Sequence, residues 1–380
     1  MWMLRMAKDW LVLEITGSPA AVGVVVALQF LPLLLVGPLG GVIADRHDKR
    51  RLVIGAQAAS VLVALTLAGL TLSGAVVLWH LWVMAVVLGL IAAVEMPARQ
   101  VLVNEVVGDS RLRSAISMNN AVNQGGGMIG PALAGIVIAE VGQGWAFGVN
   151  AAVCVAVILV ISSIRPSELH RVPTVVRARG QLREGFAFVA ARPHLLWVVV
   201  LAGLMGALGL NGPVVLAAFA DGVWETGARG FGLYNSIAAV GALGGALVAA
   251  RLRRLRMRTV VLGAAVFGLT EMVAAWMPTH ASFLVMLAVV GGATLFFLTS
   301  AATYVQLAAA PEVRGRVLAI YSPVLLGGHA CGGLLQGWLA EELGVRAGLA
   351  VTGALALVAT AVVGVCLVVQ GRRPPRVTAG

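Results

Sequence analysis

Twelve stretches of mostly apolar residues, nearly all long enough to cross a bilayer, leave this chain few folds to choose from. A hydrocarbon core of about 30 Å takes about 20 consecutive apolar residues in a helix. The stretches are segments 1–15, 20–43, 52–74, 77–98, 115–140, 145–164, 195–220, 228–250, 259–277, 281–309, 316–340 and 346–370. With 60% of its 380 residues hydrophobic and 11% charged, the chain holds more apolar surface than a soluble core can bury. The expected fold class is therefore all-α and polytopic, embedded in a membrane. Segment 1 is short: fifteen residues rise only about 23 Å at about 1.5 Å each. The expectation is that the first helix is incomplete, through a truncation or a misassigned start. Its residues do not follow the secretory pattern of a basic lead and an Ala-x-Ala cleavage site.

Lysine and arginine set the expected orientation, because positive loops stay cytoplasmic. Of the 27 in the chain, 23 lie in the loops after segments 2, 4, 6, 8 and 10 or in the tail. Arg229 and Arg346 fall on the opposite face, while Arg5 and Lys8 sit within segment 1. Both termini are expected in the cytoplasm, in a multi-pass protein of the cell membrane. The net charge of +11 follows from this asymmetry and speaks against nucleic acid as a partner. Basic loops such as Arg251, Arg253, Arg254, Arg256 and Arg258 instead meet anionic lipid headgroups.

An internal repeat divides the chain. Gly37-Pro38-Leu39-Gly40-Gly41 recurs as Gly241-Ala242-Leu243-Gly244-Gly245. Gly126, Gly130, Gly135, Glu140 and Gly142 correspond at one constant interval to Gly328, Gly332, Gly337, Glu342 and Gly344. The reading is an N-terminal bundle of six spans over 1–164, a cytoplasmic linker over 165–193, a C-terminal bundle of six over 194–370 and a tail over 371–380. A parallel repeat of this kind places a substrate site between the halves near the midplane. In the linker, Gln181 to Ala191 fits a short helix lying on the membrane surface.

Between segments 2 and 3 stands Gly41-Val42-Ile43-Ala44-Asp45-Arg46-His47-Asp48-Lys49-Arg50-Arg51. A glycine, three residues, Asp-Arg and then basic residues resembles the corresponding loop of major facilitator superfamily transporters. The family usually has Gly where this chain has Asp48, and often Arg where Lys49 stands. The resemblance implies a conformational switch made of Gly41, Asp45, Arg46, Lys49, Arg50 and Arg99, with Asp45 bridging to Arg99 and to the start of segment 11. The second half has Ala249 in place of Asp45. In segment 5, Gly126, Gly130, Pro131 and Gly135 resemble the Gly-x-x-x-Gly-Pro stretch of the superfamily's exporters, where proline bends the helix. The resemblance covers nearly the whole chain, most closely from Trp2 to Gly142, and is greatest to enterobactin-type siderophore and multidrug exporters. It implies a monomer that exports a small amphipathic compound by alternating access, driven by protons and without a cofactor. A proton-coupled importer of a small metabolite and a truncated, non-transporting membrane protein are the alternatives.

Ionisable groups inside spans are candidate functional residues, set against the simpler reading of structural pairs. Arg5 and Asp9 are four apart on one helix face and are expected to pair; Asp9 is then a candidate proton or substrate-cation site. Glu95 and Arg99 have the same spacing, in the favoured acid-first order. Glu271 in segment 9 has no basic residue within a helical turn, which suits a proton carrier. His329 in segment 11 titrates near pH 6.5 if unperturbed. Asn119 and Asn123, with Asn120 and Gln124, either line a cavity or hydrogen-bond between helices. Asn211, Asn235, Tyr304 and Gln306 pose the same choice. No Gly-x-x-x-x-Gly-Lys-Ser/Thr loop is present for an ATP motor. Cys154, Cys331 and Cys366 are isolated, the histidines have no zinc-ligand spacing, and no nucleophile elbow occurs, so neither a metal site nor an enzyme is expected.

Overall fold

The computed structural model describes residues 2–107, 112–165, 167, 169–170, 181–252, 255–309 and 313–371. Among the described residues there are helices and no strand. In chain order they are α1 (Trp2–Thr16), α2 (Pro19–Arg46), α3 (Lys49–Leu72), α4 (Leu78–Val107), α5 (Leu112–Val141), α6 (Gln143–Ser163) and α7 (Gln181–Ala190). There follow α8 (Pro193–Gly209), α9 (Gly212–Gly222), α10 (Gly227–Arg251), α11 (Met257–Ala275), α12 (His280–Ala308), α13 (Arg314–Glu342) and α14 (Val345–Gly371). Every apolar segment of the sequence lies on a helix, and α7 occupies the expected surface helix of the linker. Among the described residues, ten spans are long and apolar enough to cross a membrane, α8 and α9 together making one of them. The protein is thus a multi-pass membrane protein.

Two differences from the sequence reading matter. Hydropathy ends segment 4 at residue 98, but α4 runs on through Pro97 to Val107 and so carries Arg99 and Glu105 on its last turns. Segment 7 reads as one helix, yet it is broken at Leu210 and Asn211. Pro213 explains the break: it has no N–H to donate to the preceding turn.

Local chemistry fixes several helix starts. Ser18 caps α2, its Oγ accepting from Ala21 N at 3.1 Å, with Pro19 in the first helical position. Asp48 caps α3 through Oδ1, which accepts from Arg51 N at 2.9 Å. Thr279 and Ser282 form a capping box at the start of α12. Gly142 and Gly344 end α5 and α13 with φ of +86° and +85°. These two glycines correspond in the repeat, and each supplies the left-handed turn that only glycine takes up cheaply.

The residues gather into two compact units. One comprises Met1–Val176, Gly212–Ala239 and Gly333–Val345. Within it α2 lies along α4 and α3 along α6. Between these helices Ala44, Val53, Ala98 and Leu102 form a buried cluster covered by Leu52, Ile161 and Leu169. The other unit comprises Arg177–Asn211, Val240–Gly332 and Arg346–Gly380. There α11 lies along α12, α8 touches both, and Phe267, Phe283 and Phe297 are fully buried. Elsewhere Leu35, Leu62, Leu159, Leu262 and Val285 are each 64–69% exposed. Isolated aliphatic side chains this bare, on so many helices, are the lipid-facing surface of a membrane protein.

Candidate functional site

The loop between α2 and α3 binds helix ends together. Lys49 Nζ stands 3.8 Å from Glu105 Oε1 on α4. Arg50 reaches α6, donating from Nε to Ile161 O at 3.0 Å and from Nη2 to Ser162 O at 2.6 Å. A guanidinium there meets the carbonyls of the last helical turn and the negative end of the helix dipole. Glu95, buried on α4, accepts from Gln57 Nε2 of α3 at 3.0 Å and lies 3.9 Å from Arg99 Nη1. The i,i+4 pair expected from the sequence therefore forms, with Gln57 as a partner the spacing did not reveal. Gly41 is buried in α2 and Arg46 is exposed at its end. The Asp45 side chain, and with it the expected bridge to Arg99 and segment 11, lies outside the described residues. Sequence reasoning misses Glu105 because hydropathy ends the fourth span before its last turns.

The glycines of α5 have two neighbours. Gly126 and Gly130 face Trp2: a Cβ on either would come within 3.4 Å and 3.0 Å of its side chain. Farther along, Gly135 meets α10, where a Cβ would lie 2.7 Å from Ala228 O and 3.0 Å from Gly232 Cα. Pro131, buried, sits between these contacts inside a helix that stays continuous. The α5–α10 contact ends in an ion pair of Glu140 with Arg229. At the corresponding place in the repeat, Gly337 of α13 lies against Pro19 and Ala20 of α2, and Ser18 Oγ donates to Glu341 Oε2 at 2.5 Å. Both pairs of helices thus close on glycine and finish on a carboxylate.

Two clusters of buried polar groups lie inside the spans. In the first, helical spacing pairs Asp9 with Arg5. The structure pairs it instead with its neighbour Lys8, Nζ to Oδ1 at 3.4 Å, both side chains being fully buried. Arg5 lies over the Trp2 and Phe30 rings at 5.7 and 5.4 Å, a cation–π seat that spacing alone does not disclose. Lys8 also donates to Gln29 of α2, while neither Asp9 oxygen receives a hydrogen bond. In the second, Glu271 of α11 is buried beside Gly209 and Asn211 is fully buried at the α8–α9 break. The interval that separates Gly142 from Gly344 also separates Asp9 from Asn211. His329 is half-buried on α13 and Asn119 is exposed on α5, while the side chain of Asn123 lies outside the described residues. Sequence reasoning overlooked Lys8 and Gln29; a lysine next to an aspartate inside an apolar segment was the available signal.

Comparison with known proteins places this arrangement. A family model described as transmembrane secretion effector matches residues 1–373. The multidrug efflux pump Tap of Mycobacterium tuberculosis is 29% identical over 370 residues, covering 90% of this chain and 84% of Tap. The staphyloferrin A transporter of Staphylococcus aureus is 30% identical over 139 residues, covering 36% of this chain and only 35% of that protein. Among solved structures, that of a point mutant of the nucleoside transporter NupG aligns with a TM-score of 0.76 and 13% identity, covering 96% of this chain and 95% of that one. A likeness at that identity speaks for the fold. The family match over nearly the whole length speaks for kinship, and these relatives are transporters, not enzymes. This chain therefore belongs to the transmembrane secretion effector family, within the major facilitator superfamily of transporters.

Proposed function

We propose that the protein exports a small amphipathic compound, drug-like or siderophore-like, by alternating access, driven by inward flow of protons. The observation that carries this reading is the nearly full-length similarity to an efflux pump, together with the exporter-like glycines of α5 seated on Trp2 and Gly232. The spans fit such a substrate: they offer aliphatic surface and scattered amides, whereas a sugar demands a dense set of hydrogen-bonding groups. We infer two halves of six spans joined by a linker over 165–193, with both termini in the cytoplasm, from the repeat and from the side on which Lys and Arg collect. In this scheme the α2–α3 loop is the switch. Lys49 and Arg50 tie α3 to α4 and α6, and Asp45 latches one state. The working form is a monomer in the lipid of the cell membrane, with no cofactor.

The test is accumulation of ethidium in an efflux-deficient bacterial host expressing the chain, with and without a protonophore. Export predicts lower accumulation than in the empty host, abolished by the protonophore and by Asp45→Asn. Higher accumulation that the protonophore abolishes would mean import. Unchanged accumulation, with the protein shown in the membrane, would reject broad efflux.

A further inference from the structure

The end of α8 is where buried polar groups and the backbone of one unit lie close together without satisfying each other. Pro213 cannot donate to the carbonyl four residues before it, that of Gly209. Gly209 is also the residue that Glu271 touches: a Cβ there would lie 3.2 Å from Glu271 Oε1 and would collide with the Phe267 ring. Only a glycine lets the carboxyl reach the end of α8. Glu271 is 4% exposed and its Oε2 has no hydrogen-bond partner. Two residues on, Asn211 is fully buried; its Nδ2 donates to Gly206 O at 3.4 Å and its Oδ1 has no partner. Asn211 is pressed in place by Gly332 of α13, whose position leaves no room for a side chain. A buried carboxyl thus lies against Gly209 at the end of α8 and a buried amide follows two residues on, and neither Glu271 Oε2 nor Asn211 Oδ1 has a hydrogen-bond partner.

We propose that the C-terminal end of α8 is a proton site, in which Glu271 takes up and releases the proton that drives export, a role that rests on the export reading above. The balance is simple. The carboxylate gains a proton to become a carboxylic acid, whose O–H donates to the Gly209 carbonyl or to Asn211 Oδ1. On release, the Asn211 amide can turn its N–H toward the carboxylate, so one side chain serves both states. A hard metal cation would want roughly six oxygen ligands, more than Glu271, Asn211 and an open carbonyl provide, whereas a proton needs one acceptor.

Neighbouring charges leave Glu271 to titrate on its own. Between Leu195 and Asn211, α8 carries no ionisable residue. On α12 the nearest is His280, at its start. On α14 it is Arg346, whose Nη1 donates to Ala275 O and Met277 O at 2.9 Å. On α13 it is His329, whose backbone nitrogen packs against Gly206.

The test uses the purified full chain. Infrared difference spectra between acid and alkaline pH should show a protonated-carboxyl C=O band in the wild type that is lost in Glu271→Gln and shifted in its pH midpoint in Asn211→Leu. In proteoliposomes, Glu271→Gln should keep ethidium exchange between the two sides and lose ethidium accumulation driven by a pH gradient. Exchange that survives shows the variant is folded. An unchanged carboxyl band, or pH-driven accumulation at the wild-type level in Glu271→Gln, overturns the site. So does a sodium gradient that drives transport at fixed pH. If the wild type moves no ethidium, the export reading fails, and the infrared arm still decides whether Glu271 binds a proton here.

Discussion

At the scale of single residues, the buried pair Lys8 and Asp9 sets the largest energetic stake. Each charge is tolerated because the other is there, and removing one leaves an unpaired ion in an apolar interior, which costs about 3–5 kcal/mol. Asp9→Asn should therefore lower the melting temperature in detergent sharply. The double change Lys8→Met with Asp9→Leu should recover most of that loss, and a double variant as unstable as the single one would contradict the pairing. Asp48 is a milder case. The resemblance expects glycine there, yet an aspartate before a run of helix formers is a cap signal that can be read directly, and the structure uses it so. Asp48→Ala should cost about 1 kcal/mol in thermal stability, the usual worth of such a cap, and leave ethidium export intact. Asp45 makes the opposite comparison: Asp45→Asn should impair export more than Arg251→Gln or Arg256→Gln, and equal losses would sink the latch. Arg5 marks the limit of helical spacing. Helical spacing told correctly that Arg5 and Asp9 share a face, but not that two aromatic rings compete for the guanidinium.

At the scale of helices, length and apolarity carried nearly all the information. The spans appear close to their expected ends because about 20 apolar residues in lipid have one way to satisfy their backbone. What stayed hidden depends on neighbours or on short breaks. The 195–220 run is apolar throughout, so hydropathy reads it as continuous, and only the Asn211-Gly212-Pro213 triplet marks the interruption. Contacts between helices, such as Gly135 with Gly232, cannot be read from one strand of sequence at all, although the glycine itself announces a close approach to something. The contact is testable as an element property. Gly232→Leu forces α5 and α10 apart, because its Cβ would lie 2.6 Å from Pro131 O and 3.0 Å from Gly135 Cα. Export should fall to background while the protein still reaches the membrane, and a cysteine placed near Glu140 should become more reactive to a water-soluble maleimide. Unchanged labelling and transport would mean that the helices do not need to meet.

At the scale of the whole chain, the repeat read from the sequence has counterparts among the glycine contacts and turns. Gly126, Gly130 and Gly135 and their counterparts Gly328, Gly332 and Gly337 each lie against another helix, and Gly142 and Gly344 share a positive φ. The two copies of the sequence repeat differ where function is proposed: the first has Lys8 with Asp9 on an unbroken helix, the second has Asn211 at a break, with Glu271 against Gly209 two residues before it. Equal sensitivity of export to Asp9→Asn and Glu271→Gln, after correction for the amount of folded protein, would argue against a division of labour between them. The two glycine turns also carry a meaning for phase. Each joins consecutive spans with almost no spare chain, so one added residue rotates the following helix by about 100°, a single step in a helix of 3.6 residues per turn. An insertion after Gly142 would swing Gln143 away from Glu14 and turn buried Phe147 toward lipid, whereas a substitution on the lipid face of α6 leaves that clock untouched. Counting, more than chemistry, is what these turns protect.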